Sequence, residues 1–204
     1  AVLARLLTRH GNRVGALLHD GQGDAAGAHS NGVDATVPVR GGRRHVLHLL
    51  HTVLRHQAAH TSGHTRLADL LRAAAGQLRR RSTVVLVSDF FSEPGWEKPL
   101  GQLALRHEVV AVRLFDPLEH SLPDLGLLPV RDAETGETLM VDTHDAGFRR
   151  RFAAAAQTRE DHLLGALTRA GVDTLELATD DDLPGALMRF MDMRQRRVRT
   201  GAAA

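Results

Sequence analysis

The chain has 204 residues, 43% of them hydrophobic and 25% charged, which is enough for one ordinary α/β domain with a real core. It holds no cysteine, so disulfides, thiolate metal sites and a cysteine nucleophile are excluded. The formal net charge is only +2. The pI of 10.2 arises because Lys98 is the single lysine among arginines, which stay charged at any relevant pH.

Aromatic content of 3% with no tyrosine leaves little for base stacking, and no nucleic-acid partner is expected. No apolar run approaches the roughly 18–20 residues that span a bilayer, and nothing at the start reads as a signal peptide. A soluble, cytoplasmic chain is expected. It opens on "AVLARLLTRHG" without an initiator Met, like the second half of a helix, so a preceding segment is expected too.

In chain order, residues 1–10 have helical spacing and stop at Gly11-Asn12. "RVGALLHD", 13–20, reads as a buried strand, 21–32 as a loop, and "VDATVPV", 33–39, as a proline-bearing edge strand in a hairpin. Helices are predicted over 45–57 and 64–80, the second closing on Arg79-Arg80-Arg81 where a helix end is partially negative. The apolar strand 83–88 stops at Asp89 and is followed by a helix over 95–106. "EVVAVRLFD", 108–116, is another buried strand, and 127–143 a hairpin turning at Glu134-Thr135-Gly136. A long helix over 144–170 ends at Gly171, strand 172–179 follows, and the last helix covers about 183–196. Strands alternating with helices predict a mostly parallel sheet with helices on both faces, in one domain over 1–195 with a flexible basic tail at 196–204.

In such sheets the functional crevice lies beyond the C-terminal strand ends, where Asp89 and Asp116 fall. The loop "TSGHT", 61–65, brings hydroxyls to the same end, and hydroxyls with carboxylates are the ligands of a hard cation such as Mg2+. Each group also has a plain structural reading. Asp89 could cap the loop after its strand, and Asp116 reads foremost as a turn former before Pro117. His56, His60 and His64 are four apart, but Ser62-Gly63 breaks the helix that zinc binding would need, and His45, His48 and His51 fall beside an apolar face. "GQGDAAG" lacks the ending of a phosphate loop, and no G-x-S-x-G elbow exists. "TDDDLPGAL" places acids at a helix N-terminus. "RRR" at 149–151 and "RQRRVR" at 194–199 read as a solvated face and a frayed tail.

The blocks "GNRVGALLHD", "GGRRHVLHLLHTVL", "SGHTRLADLL", "VVLVSDFF", "HEVVAVRLFDPLEHSLPDLG" and "RDAETGETLMVDT" together resemble the bacterial "domain of unknown function 58" family, in order over about residues 1–195. The resemblance implies a Rossmann-like von Willebrand factor A-type α/β fold. It also implies a metal-ion-dependent adhesion site, with Thr65 and Asp89 matching its threonine and its third-loop aspartate. The D-x-S-x-S signature of that site is absent, as is the central first strand before it, which would leave a gap between the strands at 14–19 and 83–88.

The resemblance further implies a protein-binding or scaffold module rather than an enzyme. Its expected partner is a MoxR-type AAA+ ATPase, and it would meet a membrane only through upstream segments. The docking edge would hold Thr65, Asp89 and the loop around Phe90-Phe91, with a Mg2+ whose site is incomplete in this sequence. The alternative is a divalent-metal-dependent α/β hydrolase or phosphatase using Asp89 and Asp116.

Overall fold

A computed structural model describes residues 4, 5, 8, 11–19, 33–56, 65–131 and 138–201. The predicted loop 21–32, the tip of the hairpin at 134–136, His60, His64 and most of the first predicted helix lie outside the described residues. Of that helix, Ala4, Arg5 and Thr8 are helical, and Gly11 closes it at φ 79° with its N–H on the Thr8 carbonyl, 3.1 Å.

The fold is mixed α/β, the class expected from the sequence. It divides into two compact units, one of Ala1–Ser82, Phe91–Glu108 and Pro129–Leu139, the other of Thr83–Phe90, Val109–Leu128 and Met140–Ala204.

In the first unit, β1 (Val14–Leu18) pairs antiparallel with β2 (Ala35–Arg40), as the predicted hairpin requires. The register runs Ala16↔Val37 and Val14↔Arg40, so β2 carries an extra residue opposite Gly15. Pro38, which has no N–H to give, falls in this irregularity. Gly15 is required there by close approach, since a Cβ would meet the Val37 carbonyl oxygen at 2.8 Å. The strand is half-buried rather than buried as predicted, because β1 and β2 form a two-stranded sheet of their own.

Helix α1 (Arg43–Arg55) starts after Gly42 at φ 92° and buries His45, Val46 and Leu49, with the His45 ring Nε2 2.8 Å from the Val14 carbonyl. Leu54, on the same helix, is 77% exposed. Helix α2 (Leu67–Gln77) buries Leu67, Leu71 and Ala74, and packs on α3 (Glu97–Arg106), which buries Pro99, Leu100 and Leu103. Because α2 stops at Gln77 and Leu78 is already extended, Arg79–Arg81 lie beyond the helix, not in the last turn where they were predicted.

In the second unit, β3 (Thr83–Ser88), β4 (Glu108–Phe115) and β7 (Asp173–Ala178) form a parallel sheet in the order β3-β4-β7. Between β4 and β7 the register runs from Val110↔Asp173 to Phe115↔Ala178. Val109–Val112 are buried without alternation, the pattern of a strand covered on both faces. Val110, Val112 and Leu177 make a core cluster joined by Val85, Leu175, Ala186 and Phe190.

Helices α4 (Ala146–Arg169) and α5 (Leu183–Gly201) pack against β7. The α4 helix ends before Gly171, at φ 68°, as predicted, while α5 runs further than the predicted 196. A separate two-stranded sheet joins β5 (Leu127–Arg131) and β6 (Thr138–Asp142), the predicted hairpin. No helix among the described residues is long and apolar enough to cross a membrane.

Candidate functional site

The exit of β3 is built by Ser88. Its Oγ accepts the Phe90 N–H at 2.9 Å and donates toward Asp89 Oδ1 at 3.4 Å. This tight turn places Phe90 at φ 63°, the one left-handed non-glycine among the described residues. A left-handed phenylalanine is strained, and here its side chain is buried, so core packing holds the backbone in a conformation it would otherwise leave. Asp89 is exposed at the apex, so the turn presents a carboxylate at the strand's C-terminal end. Of the two aromatics expected in the docking edge, Phe90 belongs to the core and Phe91 alone is exposed.

Thr65 lies in the other unit, at the entry to α2. Its carbonyl accepts the Ser92 hydroxyl and the Glu93 N–H, both at 2.9 Å, and Ser92 Oγ in turn accepts the Leu67 N–H at 3.0 Å. Arg66 adds ion pairs to Asp69 and Glu93, each at 3.4 Å. Asp116 does what its plain reading predicts, its Oδ1 accepting the Leu118 N–H at 2.9 Å to cap the 3-10 turn Pro117–Glu119.

Thr65 and Asp89 are oxygen donors of the kind a hard cation takes, but Mg2+ demands near-octahedral coordination. Among the described residues, no three His, Asp or Glu side chains are grouped to hold a metal ion. The described residues by themselves therefore do not fit Mg2+.

Other charged groups have structural duties. Asp181 and Asp182 accept backbone N–H groups of Ala178 (2.9 Å) and Gly185 (3.1 Å), as the reading of "TDDDLPGAL" expects. Within "RRR", Arg149 is not simply solvated. It bonds the Thr143 carbonyl and lies 3.3 Å from Asp124, which also meets His144 Nδ1 at 2.5 Å.

Sequence reasoning missed two polar clusters. Arg113, 6% exposed on β4, reaches Glu160 of α4 at 2.5 Å and Glu176 of β7 at 3.3 Å, with its guanidinium 4.9 Å from the centre of the Phe115 ring. His120 lies 3.7 Å from Glu160. Burial, then the neighbouring Glu176 carboxyl, pushes the Glu160 carboxyl above its ordinary range against the pull of Arg113. In the first unit, His19 and His56 approach Asp34 at 3.6 and 3.9 Å. The signal for Arg113 was a cation inside an otherwise apolar strand; for His19 and Asp34 there was none.

Together these elements define the class, a mixed α/β fold whose three-stranded parallel sheet is flanked by helices, with a carboxylate held at the exit of β3. The chain belongs to the family described as "Protein of unknown function DUF58", which matches residues 1–162. It is 36% identical over 165 residues to the uncharacterized protein MAV169 of Mycobacterium avium, covering 81% of this chain and 97% of that protein. It is 33% identical over 202 residues to the uncharacterized protein Rv1480 of Mycobacterium tuberculosis, covering 98% of this chain but 60% of that longer protein. The crystal structure of the conserved hypothetical protein BatB from Bacteroides thetaiotaomicron shares the fold, with a TM-score of 0.51 at 12% identity over 96% of this chain and 85% of that one.

Proposed function

We propose that this chain is a protein-binding or scaffold module of von Willebrand A type, that Asp89 is the centre of its docking edge, and that its partner is a MoxR-type AAA+ ATPase on the cytoplasmic side of the membrane. The observation that carries this reading is the turn Ser88–Asp89–Phe90. The buried left-handed phenylalanine anchors the turn in the core, and the turn holds an exposed carboxylate at the strand end. An exposed acid on a rigid apex suits recognition of a basic or metal-bearing surface.

Catalysis has less support. The rival hydrolase needs Asp89 and Asp116 as a pair, and Asp116 is engaged in capping its own 3-10 turn.

Cation dependence is a separate part of the proposal. A Mg2+ with Thr65 and Asp89 among its ligands needs further oxygens, from the partner's carboxylate or from beyond the described residues.

The test is capture of a purified MoxR-type ATPase from the same host on the immobilised chain, with Mg2+ or with EDTA. Capture that Asp89→Ala abolishes supports the docking edge, and its loss in EDTA and in Thr65→Ala adds the cation. Capture that Asp89→Ala leaves intact removes Asp89 from the interface, and absence of capture in both buffers sinks the partner.

A further inference from the structure

The polar cluster of the first unit holds imidazole nitrogens that are buried and unpaired. His19 stands directly after β1, Asp34 directly before β2 and His56 directly after α1, so the ends of three elements meet there. The Asp34 N–H on the Leu18 carbonyl, at 2.9 Å, keeps the two strand ends together. The His19 side chain is 6% exposed, that of Asp34 16% and that of His56 23%.

His19 Nδ1 and His56 Nε2 approach the same oxygen, Asp34 Oδ2, at 3.6 and 3.9 Å. Both separations are too long for a hydrogen bond. Neither nitrogen has a hydrogen-bond partner among the described residues, nor has His19 Nε2, and all three atoms are buried. Burying a polar atom without a partner costs free energy, so three such atoms around one carboxylate point to a bound group. The separations come close to the edge of a metal site. Ligands about 2.0–2.2 Å from a tetrahedral zinc lie roughly 3.4 Å from one another. As they lie, the three side chains are spread too wide to enclose a metal, and closing each separation by about 0.2–0.5 Å brings them to that edge.

We propose that His19, Asp34 and His56 bind a zinc ion, which draws them together and clips the ends of β1, β2 and α1 to one another, with water in the fourth position. Two imidazoles and one carboxylate suit Zn2+ and its transition-metal neighbours, and suit Mg2+ poorly, since it takes oxygens. Of the run His56, His60 and His64 only the first takes part, so no continuous helix through Ser62-Gly63 is needed. The site lies in other elements than the Asp89 turn and needs no partner protein, so it is independent of the docking reading.

Co2+ titrated into the chelator-treated full chain reports the site through its visible d–d absorption, whose strength is diagnostic of coordination geometry. One equivalent is expected to bind, to be displaced by Zn2+ and to be unaffected by excess Mg2+. Binding should weaken as pH falls, because the imidazoles must be neutral to ligate. His19→Gln, His56→Gln and Asp34→Asn, each close in shape to the residue it replaces, are each expected to lower the affinity by at least about tenfold. His48→Ala with His51→Ala, at exposed positions of α1, is the control and should bind as the wild type does. Zn2+ should raise the melting temperature of the wild type and the control, but not of the three ligand variants. Circular dichroism checks that each variant is folded, and any one folded ligand variant decides the matter. Absence of a low-coordinate Co2+ spectrum overturns the proposal, as does a spectrum and affinity that the folded ligand variants leave unchanged.

Discussion

Asp89 and Gly15 show two ways in which a single residue carries the fold's logic. Asp89→Ala removes an exposed carboxylate from a turn whose Phe90 N–H is held by the Ser88 hydroxyl, so the chain should still fold while partner capture is lost. Calorimetry beside the capture experiment separates the two effects. Gly15→Ala should do the reverse. Its Cβ would stand 2.8 Å from the Val37 carbonyl oxygen, so the hairpin must shift, at about 1–3 kcal/mol in a denaturant titration, with Asp89 untouched. Thr65 and Asp89 could be singled out as candidates because each stands in a short local block, "SGHT" and "SDF". Ser88 and Ser92 were not singled out, although Ser88 acts only two residues away, on Phe90. The role of Ser92 was hidden for another reason: its partners Thr65 and Leu67 lie 27 and 25 residues away.

At the scale of elements, apolar runs located the strands well, since a run such as Val109–Val112 has few other uses. Ends were less legible. The arginines at 79–81 resemble a helix terminus by charge alone, but Leu78 turns extended first and they lead into β3 instead. At α4 the cap was also unread. Asp145 accepts the Gly147 N–H at 2.7 Å, and this bond with that of Phe148 holds its carboxyl below the ordinary range. A depressed carboxyl contributes stability above its unfolded pKa and loses it as pH falls through the folded one. Asp145→Asn should therefore flatten the loss of stability on the acid side of about pH 4, and Asp145→Ala should lower the melting temperature at neutral pH. Melts from pH 2.5 to 7 would show no difference in acid slope if the cap were idle.

For the whole molecule, the α/β class and both hairpins were legible, but the order β3-β4-β7 of the parallel sheet was not, because hydrophobic period identifies strands without saying which of them pair. Glu160 gives the second unit a pH response opposite in sign to that of Asp145. Its carboxyl is raised, so it contributes stability that is complete below the unfolded value near 4.3 and is lost as pH rises through the folded value. Unfolding midpoints of the wild type should fall over that window, and Glu160→Gln should remove the fall; parallel slopes would contradict it.

The guanidinium of Arg113 also bears on how the chain finds its native alignment. Because β4 is apolar on both faces from Val109 to Val112, that strand offers little besides Arg113 to tell the native position of β7 from a slide by one residue. What such a slide loses is the pairing of Arg113 with Glu176, which are direct neighbours in the register, and it sets Leu175 or Leu177 against a buried cation instead. One costly charge thus serves as an address label on strands whose stickiness is otherwise indifferent to position. Replacing Arg113, Glu160 and Glu176 together by leucine should leave the unit at least as stable but let misaligned forms accumulate, visible as doubled amide resonances along β7.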